Sequence, residues 1–246
     1  MSLIYSPLQK KNQGVVTSPG AYVRLVARGI ELPPKAVICP FTPLVHSFVK
    51  QGNWKKYFLS AEVYCAQGKD FCLITGFGCG GPAVALVAEQ VIALGVKQIV
   101  FVGLAGSLQE EVVPADTVVC QESICADGTS PHYTANEVVR TSKNLTAQLT
   151  KKLGVEKINF HFGRNWSTDA VFRETKKEIK HYQKARVLTV EMETSALLAV
   201  CKRRKIACAA VYVVSDFLGG RTWQPDFKNP LIWKHLRQIF LLSQHI

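Results

Sequence analysis

Two long apolar segments constrain the fold of this chain more than any other feature of its sequence. Residues 98–102 and 206–214 are almost unbroken aliphatic runs, which is typical of strands that are covered on both faces. Residues 82–94 and 194–204 have helical patterns, and Gly95 follows the first of them as a stop signal. This alternation predicts an α/β fold: a single domain with a mixed, mostly parallel central sheet flanked by helices on both faces.

Further elements follow from shorter patterns. Apolar runs predict strands at residues 36–39, 58–66, 71–75, 117–120 and 187–190, with a turn that starts at Gly68. Helices are predicted at residues 135–153, with Asn136 or Thr134 as the cap, and from about residue 230 to 242. We expect one domain over residues 1–246, with residues 1–35 as an N-terminal extension.

Composition narrows the range of partners. The net charge of +12 favours anionic partners such as nucleic acid, acidic lipid or phosphorylated metabolites. The basic residues are scattered, however, and no nucleic-acid-binding motif accompanies them, so we expect no nucleic-acid partner. No apolar run reaches the roughly 18 residues of a membrane span, and residues 1–11 lack the apolar stretch of a secretory signal. These features predict a cytoplasmic protein that does not contact a membrane.

The eight cysteines do not form a metal-binding pattern. None belongs to a Cys-x-x-Cys pair, and no histidine stands near enough to complete a zinc motif. Most lie within apolar segments, where a free cysteine packs as a small hydrophobic residue. We therefore predict reduced, mostly buried thiols, with no bound metal and no cofactor.

The carboxyl ends of the predicted strands carry the residues suited to ligand binding. In open α/β sheets, ligands bind beyond these ends. The small residues from Gly103 to Ser107 follow one strand, where they either leave room for a ligand and expose backbone N–H groups or simply make a tight strand-to-loop turn. The glycine-rich stretch 76–81, between a strand and a helix, allows the same two readings.

The acidic residues at this edge are candidates for substrate binding and catalysis. Glu193 could accept hydrogen bonds from two adjacent hydroxyls, as in a ribose 2′,3′-diol, while Met192 offers an adaptable apolar surface for a sugar ring. Alternatively, Glu191 and Glu193 only complement the dipole of the following helix. Asp216 ends an apolar strand and is poorly solvated there, which makes it either a candidate general acid or a loop-capping aspartate.

Six short motifs occur in this chain in the same order as in a known family. They are Gly78-Cys-Gly-Gly-Pro82, Gly103-Leu-Ala-Gly-Ser-Leu108, Asp127-Gly-Thr-Ser-Pro-His-Tyr133, Ser167-Thr-Asp-Ala170 with Phe172-Arg-Glu-Thr175, Val190-Glu-Met-Glu193, and Val214-Ser-Asp216. From residue 36 to the C-terminus the chain resembles the nucleoside phosphorylase family, which includes purine nucleoside phosphorylase, uridine phosphorylase and adenosylhomocysteine-type nucleosidases. The middle motifs are most similar to the uridine-phosphorylase-like branch.

The resemblance implies a reaction and a set of roles. The reaction is cleavage of the N-glycosidic bond of a purine nucleoside or uridine by phosphorolysis, which releases the base and ribose 1-phosphate. Asp216 would protonate or hydrogen-bond a leaving purine at N7, and Arg221 would assist it as a second catalytic residue. The residues implied in substrate binding are Glu193, Met192, Glu191, Phe172, Cys79, Gly103, Leu104 and Ala105. The resemblance also implies a homo-oligomer, either a dimer or a trimer of dimers.

Four positions depart from the phosphate-binding pattern of the family. Phe41 stands in place of a glycine, Val45 and Phe101 in place of arginines, and Leu104 in place of a serine or threonine. A phosphate dianion beside these side chains would lose its charge-assisted hydrogen bonds. The alternatives are phosphate held by other groups, such as Lys55, Lys56 or a neighbouring subunit's arginine, a nucleosidase that uses water, or a protein that only binds a nucleoside.

Overall fold

The computed structural model of the chain describes residues 14–66 and 69–246. These residues form eleven strands: β1 (Lys35–Ile38), β2 (Trp54–Phe58), β3 (Glu62–Ala66), β4 (Phe71–Thr75), β5 (Gln98–Ser107), β6 (Thr117–Ala126), β7 (Val138–Arg140), β8 (Phe160–Thr168), β9 (Val187–Glu191), β10 (Ala207–Phe217) and β11 (Gln224–Pro225). They also form seven α-helices: α1 (Pro19–Val26), α2 (Thr42–Val49), α3 (Gly81–Ala93), α4 (Lys143–Val155), α5 (Lys176–Lys184), α6 (Thr194–Arg204) and α7 (Pro230–Ser243).

One mixed sheet joins all of these strands, in the order β11-β10-β6-β8-β9-β5-β1-β4-β3-β2, with β7 paired to β6. A further pairing between β5 and β10 closes β5, β10, β6, β8 and β9 into a ring. The predicted mixed α/β fold is confirmed. The sheet is less parallel than we predicted, because five of its strand pairings are parallel and six are antiparallel. Short connections produce antiparallel pairs such as β2–β3 and β10–β11, and β5–β9 and β6–β10 are antiparallel within the ring.

The helices cover both faces of the sheet, as predicted. On one face α1, α3 and α6 bury side chains such as Val23, Val84 and Leu197 against the strands. On the other face α2, α4 and α7 form a second core, and their buried side chains include Leu149 and Leu236. Central strands with apolar cores on both sides explain why their sequences are almost unbroken aliphatic runs.

Part of the predicted N-terminal extension packs onto the domain. Val23, Ala27 and Leu32 are buried in the core on the α1 side. The carbonyl of Leu32 lies 2.9 Å from the point where a Cβ of Gly95 would stand, and Gly95 has a φ of 122°. Glycine is therefore required after α3, in agreement with the predicted stop signal. The predictions about residues 1–11, and the turn residue Gly68, lie outside the described residues.

The turn considered for Gly103 to Ser107 is wrong, because β5 continues through these residues. They pair with β10, in which Tyr212 stands opposite Gly103 and Asp216 opposite Gly106. The glycines are needed for close packing within the sheet: a Cβ on Gly103 would lie 2.8 Å from the ring of Phe101. The small residues therefore reflect packing in an extended strand and not a turn.

Two other predicted elements are also corrected. The helix predicted from residue 135 begins only at Lys143, after Ser142, because Val138–Arg140 pairs with β6 as the short strand β7. The capping role given to Asn136 or Thr134 is therefore wrong. The strand predicted at 58–66 is divided, since β2 ends at Phe58 and β3 begins at Glu62.

None of the described helices has the length and hydropathy that crossing a bilayer requires.

Candidate active site

A cavity of about 670 Å³ lies beyond the carboxyl ends of β1, β4, β5, β9 and β10. Its volume is within the usual range for small-molecule sites. All ten residues that the sequence analysis placed in the site line this cavity: Asp216, Arg221, Glu193, Met192, Glu191, Phe172, Cys79, Gly103, Leu104 and Ala105. The strands thus bring together side chains that are up to 142 positions apart, from Cys79 to Arg221.

Glu193 is held in place by the glycine-rich loop. It is buried, with 7% of its surface exposed, and its Oε1 accepts a hydrogen bond from the backbone N–H of Gly80 at 2.5 Å. Gly80 has a φ of 92°, a left-handed conformation that favours glycine. Burial, followed by the negative charge of Glu191, raises the pKa of Glu193 to about 7. The loop therefore makes a tight turn and also positions an acidic side chain in the cavity.

Glu191 organises the start of α6. Its Oε2 accepts hydrogen bonds from the backbone N–H groups of Glu193 and Thr194, both at 2.8 Å. Its Oε1 accepts hydrogen bonds from Asn165 Nδ2, at 2.7 Å, and from the hydroxyl of Ser167. Both oxygens are thus engaged within the protein. These bonds favour the alternative that Glu191 complements the helix N-terminus, while its role in substrate binding stays a prediction.

Asp216 lies at the other acidic position, near the end of β10. It is 8% exposed, and the register between β5 and β10 shifts between Val214 and Asp216. Ser215 Oγ donates a hydrogen bond to its Oδ1 at 2.6 Å, and Trp223 Nε1 donates to its Oδ2 at 2.7 Å. Gly106 leaves room for this carboxylate, since a Cβ there would lie 3.1 Å from Oδ2. Asp216 is consequently held by donors on two sides.

The expected partnership between Arg221 and Asp216 is not formed. Arg221 is exposed, and it makes no hydrogen bond or ion pair with any residue that the structure describes. Trp223 occupies the place next to Asp216 because the β10–β11 hairpin pairs Asp216 with Pro225 and so turns the chain back beside it. Sequence reasoning missed Trp223, since its contact depends on this hairpin and not on a motif.

The short 3₁₀ turn Val171–Arg173 also borders the cavity. Phe172 is 97% exposed there, at the mouth of the cavity. Glu174 follows the turn, is partly buried and also lines the cavity. Burial raises the pKa of Glu174 to about 7, and the charges of Asp216 and Glu178 contribute. Glu174 belongs to the motif Phe172-Arg-Glu-Thr175, but the sequence alone predicted no role for it.

The positions at which the family holds phosphate form an apolar surface. Phe41, Phe101 and Leu104 line the cavity. Val45 is fully buried in the core that α2 covers and does not contribute to the lining. The cationic side chains among the lining residues are Lys176 and Arg221, which belong to α5 and to the segment after β10. No group of three or more potential metal ligands occurs among the residues that the structure describes.

Glu193 and Asp216 are thus buried carboxylates that line one cavity at the carboxyl edge of a mixed α/β sheet. The chain belongs to the phosphorylase superfamily, whose family model matches residues 36–230.

Known proteins agree with this assignment. The guanosine phosphorylase of Halorubrum lacusprofundi is 28% identical over 147 residues, which are 58% of this chain and 59% of that relative. The crystal structure of uridine phosphorylase from Vibrio fischeri has a TM-score of 0.76 at 19% identity, covering 87% of this chain and 90% of that one. AMP nucleosidase from Bacteroides thetaiotaomicron has a TM-score of 0.75 at 19% identity, covering 93% and 97%. At this identity, the two structures show the fold.

Proposed function

We propose that the protein cleaves the N-glycosidic bond of a nucleoside. The observation that carries this proposal is that Glu193 and Asp216, which come from different strand ends, line the same cavity of about 670 Å³. Such a cavity has room for a base and a ribose. Family membership supports the same chemistry, since the matched relatives include a phosphorylase and the matched structures include a nucleosidase.

Each acidic side chain has a distinct task in this reaction. Glu193 accepts hydrogen bonds from the 2′- and 3′-hydroxyls, and its bond from Gly80 fixes the carboxylate before the ligand arrives. Met192 packs against the sugar ring. Asp216 hydrogen-bonds or protonates the leaving base, with Ser215 and Trp223 keeping its carboxyl in place. The ribose gains positive charge as the bond breaks, and each electrostatic contact of this kind can contribute a few kcal/mol.

The remaining question is whether phosphate or water accepts the ribose. Phosphorolysis is the reaction that the family resemblance implies. The apolar surface of Phe41, Phe101 and Leu104 favours the second candidate, hydrolysis, because none of these three side chains can donate a hydrogen bond to a phosphate dianion. Water carries no net charge, so it enters such a surface at a smaller cost. We therefore propose water as the acceptor.

An assay that follows the release of free base tests both the cleavage itself and the choice of acceptor. A panel of purine and pyrimidine nucleosides is incubated with the protein, in phosphate-free buffer and with added phosphate. We expect base release that does not depend on phosphate, with free ribose as the other product. Release that requires phosphate and yields ribose 1-phosphate would overturn hydrolysis and support phosphorolysis. Absence of release from every nucleoside would overturn cleavage and leave a nucleoside-binding protein.

We also propose that the protein forms a homo-oligomer, either a dimer or a trimer of dimers. Large apolar side chains at the cavity mouth support this, since Phe172 is 97% exposed, Trp223 58% and Phe227 46%. Exposed apolar surface of this kind commonly marks a contact with another protein. Size-exclusion chromatography with light scattering measures the mass, and a monomeric mass across concentrations would contradict the proposal.

A further inference from the structure

Cys65 and Cys72 stand directly opposite each other on β3 and β4. These two strands are antiparallel, and their register pairs the two cysteines as partners. Opposed residues of an antiparallel pair have Cα atoms about 4.5–5.5 Å apart, and their side chains lie on the same face of the sheet. Disulfides span Cα separations of about 4.4–6.8 Å. A bond between the two sulfur atoms therefore fits the existing pairing of these strands.

The two thiols differ in their access to solvent. Cys72 is fully buried, with 0% of its surface exposed, whereas Cys65 is partly exposed. Strand β3, which carries Cys65, lies next to β2 at the end of the sheet, and Lys55 of β2 stands opposite Cys65. A small reagent from solvent therefore meets the sulfur of Cys65 first, beside a cation.

The surroundings also favour the thiolate of Cys65 over that of Cys72. A hydrogen bond with Cys72 lowers the pKa of Cys65 in spite of its partial burial, and the positive charge of Lys55 lowers it further. The same contact, followed by burial, raises the pKa of Cys72. The thiolate is the nucleophile in cysteine chemistry, and oxidants select accessible thiols of low pKa that have a second cysteine beside them.

We propose that Cys65 and Cys72 are an oxidation site at which a hydroperoxide produces a disulfide within the chain. The Cys65 thiolate attacks one oxygen of hydrogen peroxide, the O–O bond breaks, and Cys65 becomes a sulfenic acid. The hydroxide that leaves takes up the proton that Cys65 lost and forms water. This inference does not depend on the cleavage of nucleosides.

Cys72 completes the reaction. Its sulfur attacks the sulfur of Cys65, the S–O bond breaks and the S–S bond forms, and the departing hydroxide leaves as water with the proton of the Cys72 thiol. The two thiols together lose two electrons, and the peroxide is reduced to two molecules of water. A small thiol such as glutathione reverses the reaction by attacking Cys65, which is the sulfur that solvent reaches.

A second pair of cysteines provides an internal comparison. Cys201 hydrogen-bonds Cys208, so these two thiols are also close together. Each of them is only 1% exposed, however, and this pair therefore lacks a counterpart to the partly exposed Cys65. We expect Cys201 and Cys208 to remain reduced under conditions that join Cys65 to Cys72.

Mapping of disulfides by mass spectrometry tests the inference. The full chain is reduced, freed of reductant, exposed to one equivalent of hydrogen peroxide, alkylated in denaturant and digested with trypsin. Cleavage after Lys69 separates Cys65 from Cys72, so the disulfide joins two peptides. Cys79 shares the second peptide with Cys72, and a Cys79→Ser background makes the assignment unique. We expect the 65–72 link in most chains, its loss on adding glutathione, and full alkylation of Cys201 and Cys208.

Two variants assign the order of the steps. In Cys72→Ala, which keeps a small apolar side chain in the core, Cys65 should stop at the sulfenic acid, and dimedone should label it there. In Cys65→Ser, the buried Cys72 should stay reduced and the disulfide should be lost completely. The mapping in the Cys79→Ser background does not require either variant to fold.

Four results would overturn the inference. They are full alkylation of both Cys65 and Cys72 after peroxide, a disulfide from Cys65 to a second chain in place of Cys72, oxidation of Cys201 and Cys208 as early as that of the proposed pair, and dimedone labelling of Cys72 in Cys65→Ser. Base release from nucleosides is a separate measurement, so its failure would remove the proposed function and leave the oxidation site intact.

Discussion

Trp223 donates its indole N–H to Oδ2 of Asp216 at 2.7 Å, across the hairpin that joins β10 and β11. The resemblance to the family predicted that Arg221 would support this aspartate. The observed donor is neutral and rigid, so it fixes the direction of the carboxyl group without placing a cation beside it. Because Arg221 is exposed and has no partner among the described residues, the two side chains should differ in their contribution to catalysis.

Replacing Trp223 by phenylalanine removes this donor and retains most of the aromatic surface. Loss of one hydrogen bond is worth about 1 kcal/mol, so we expect kcat for nucleoside cleavage to fall about fivefold. Arg221→Ala should change kcat less than Trp223→Phe does. Steady-state kinetics with the two variants in parallel provide the measurement. A larger loss in the Arg221 variant would restore the arginine as the catalytic partner.

Asp216→Asn keeps the shape of the side chain but removes its capacity to give a proton. General acids typically contribute factors of 10² to 10⁴, so kcat should fall by about 100-fold or more, while nucleoside binding changes little. Asp226→Asn is the matched control, because Asp226 contacts Asn229 and lies outside the cavity lining. Unchanged turnover in Asp216→Asn would remove this residue from the mechanism.

Glu193→Ala tests recognition of the ribose diol. Since hydrogen bonds to a charged group contribute about 1.5–3 kcal/mol, kcat/KM for ribonucleosides should fall about tenfold to hundredfold. The corresponding 2′-deoxynucleosides lack one of the two hydroxyls and should lose less. Parallel kinetics on each ribonucleoside and its deoxy analogue give the comparison. Equal losses on both would contradict the assignment of Glu193 to the diol.

Glu191 should behave differently from Glu193, because its oxygens are bonded within the protein. Glu191→Ala leaves two backbone N–H groups at the start of α6 without an acceptor, which should destabilise the fold by at least about 2 kcal/mol. For a chain of this size that corresponds to a decrease in Tm of about 4 °C or more. Calorimetry of Glu191→Ala beside Glu110→Ala, an exposed position, measures the effect. Equal Tm values would show that Glu191 is not structural.

The main features of the fold could be predicted because its central strands are covered on both faces. Apolar runs located β5 and β10, and α6 was predicted with the bounds that the structure shows, Thr194–Arg204. Strand β8 was not predicted, because Asn165 and Ser167 place polar groups in the interior, where they hydrogen-bond Glu191. Because these polar residues interrupt the apolar run, the strand that carries them could not be predicted from the sequence pattern.

The site was predictable where short motifs fix residues next to strand ends, as for Glu193 and Asp216. Trp223 and Glu174 escaped prediction for a shared physical reason. Trp223 reaches Asp216 only through the β10–β11 hairpin, and Glu174 enters the cavity only through the turn that precedes α5. Neither arrangement leaves a periodic pattern in the sequence, so the positions of these two residues became visible only in the structure.

The central claim is that Glu193 and Asp216 act on the two ends of one bound nucleoside. A crystal structure of the Asp216→Asn variant, soaked with a ribonucleoside that the unmodified protein cleaves, tests it most directly. We expect the Glu193 carboxylate to lie within hydrogen-bond distance of both the 2′- and 3′-hydroxyls, with the base against residue 216. A nucleoside bound in another cavity, or with its ribose away from Glu193, would contradict it.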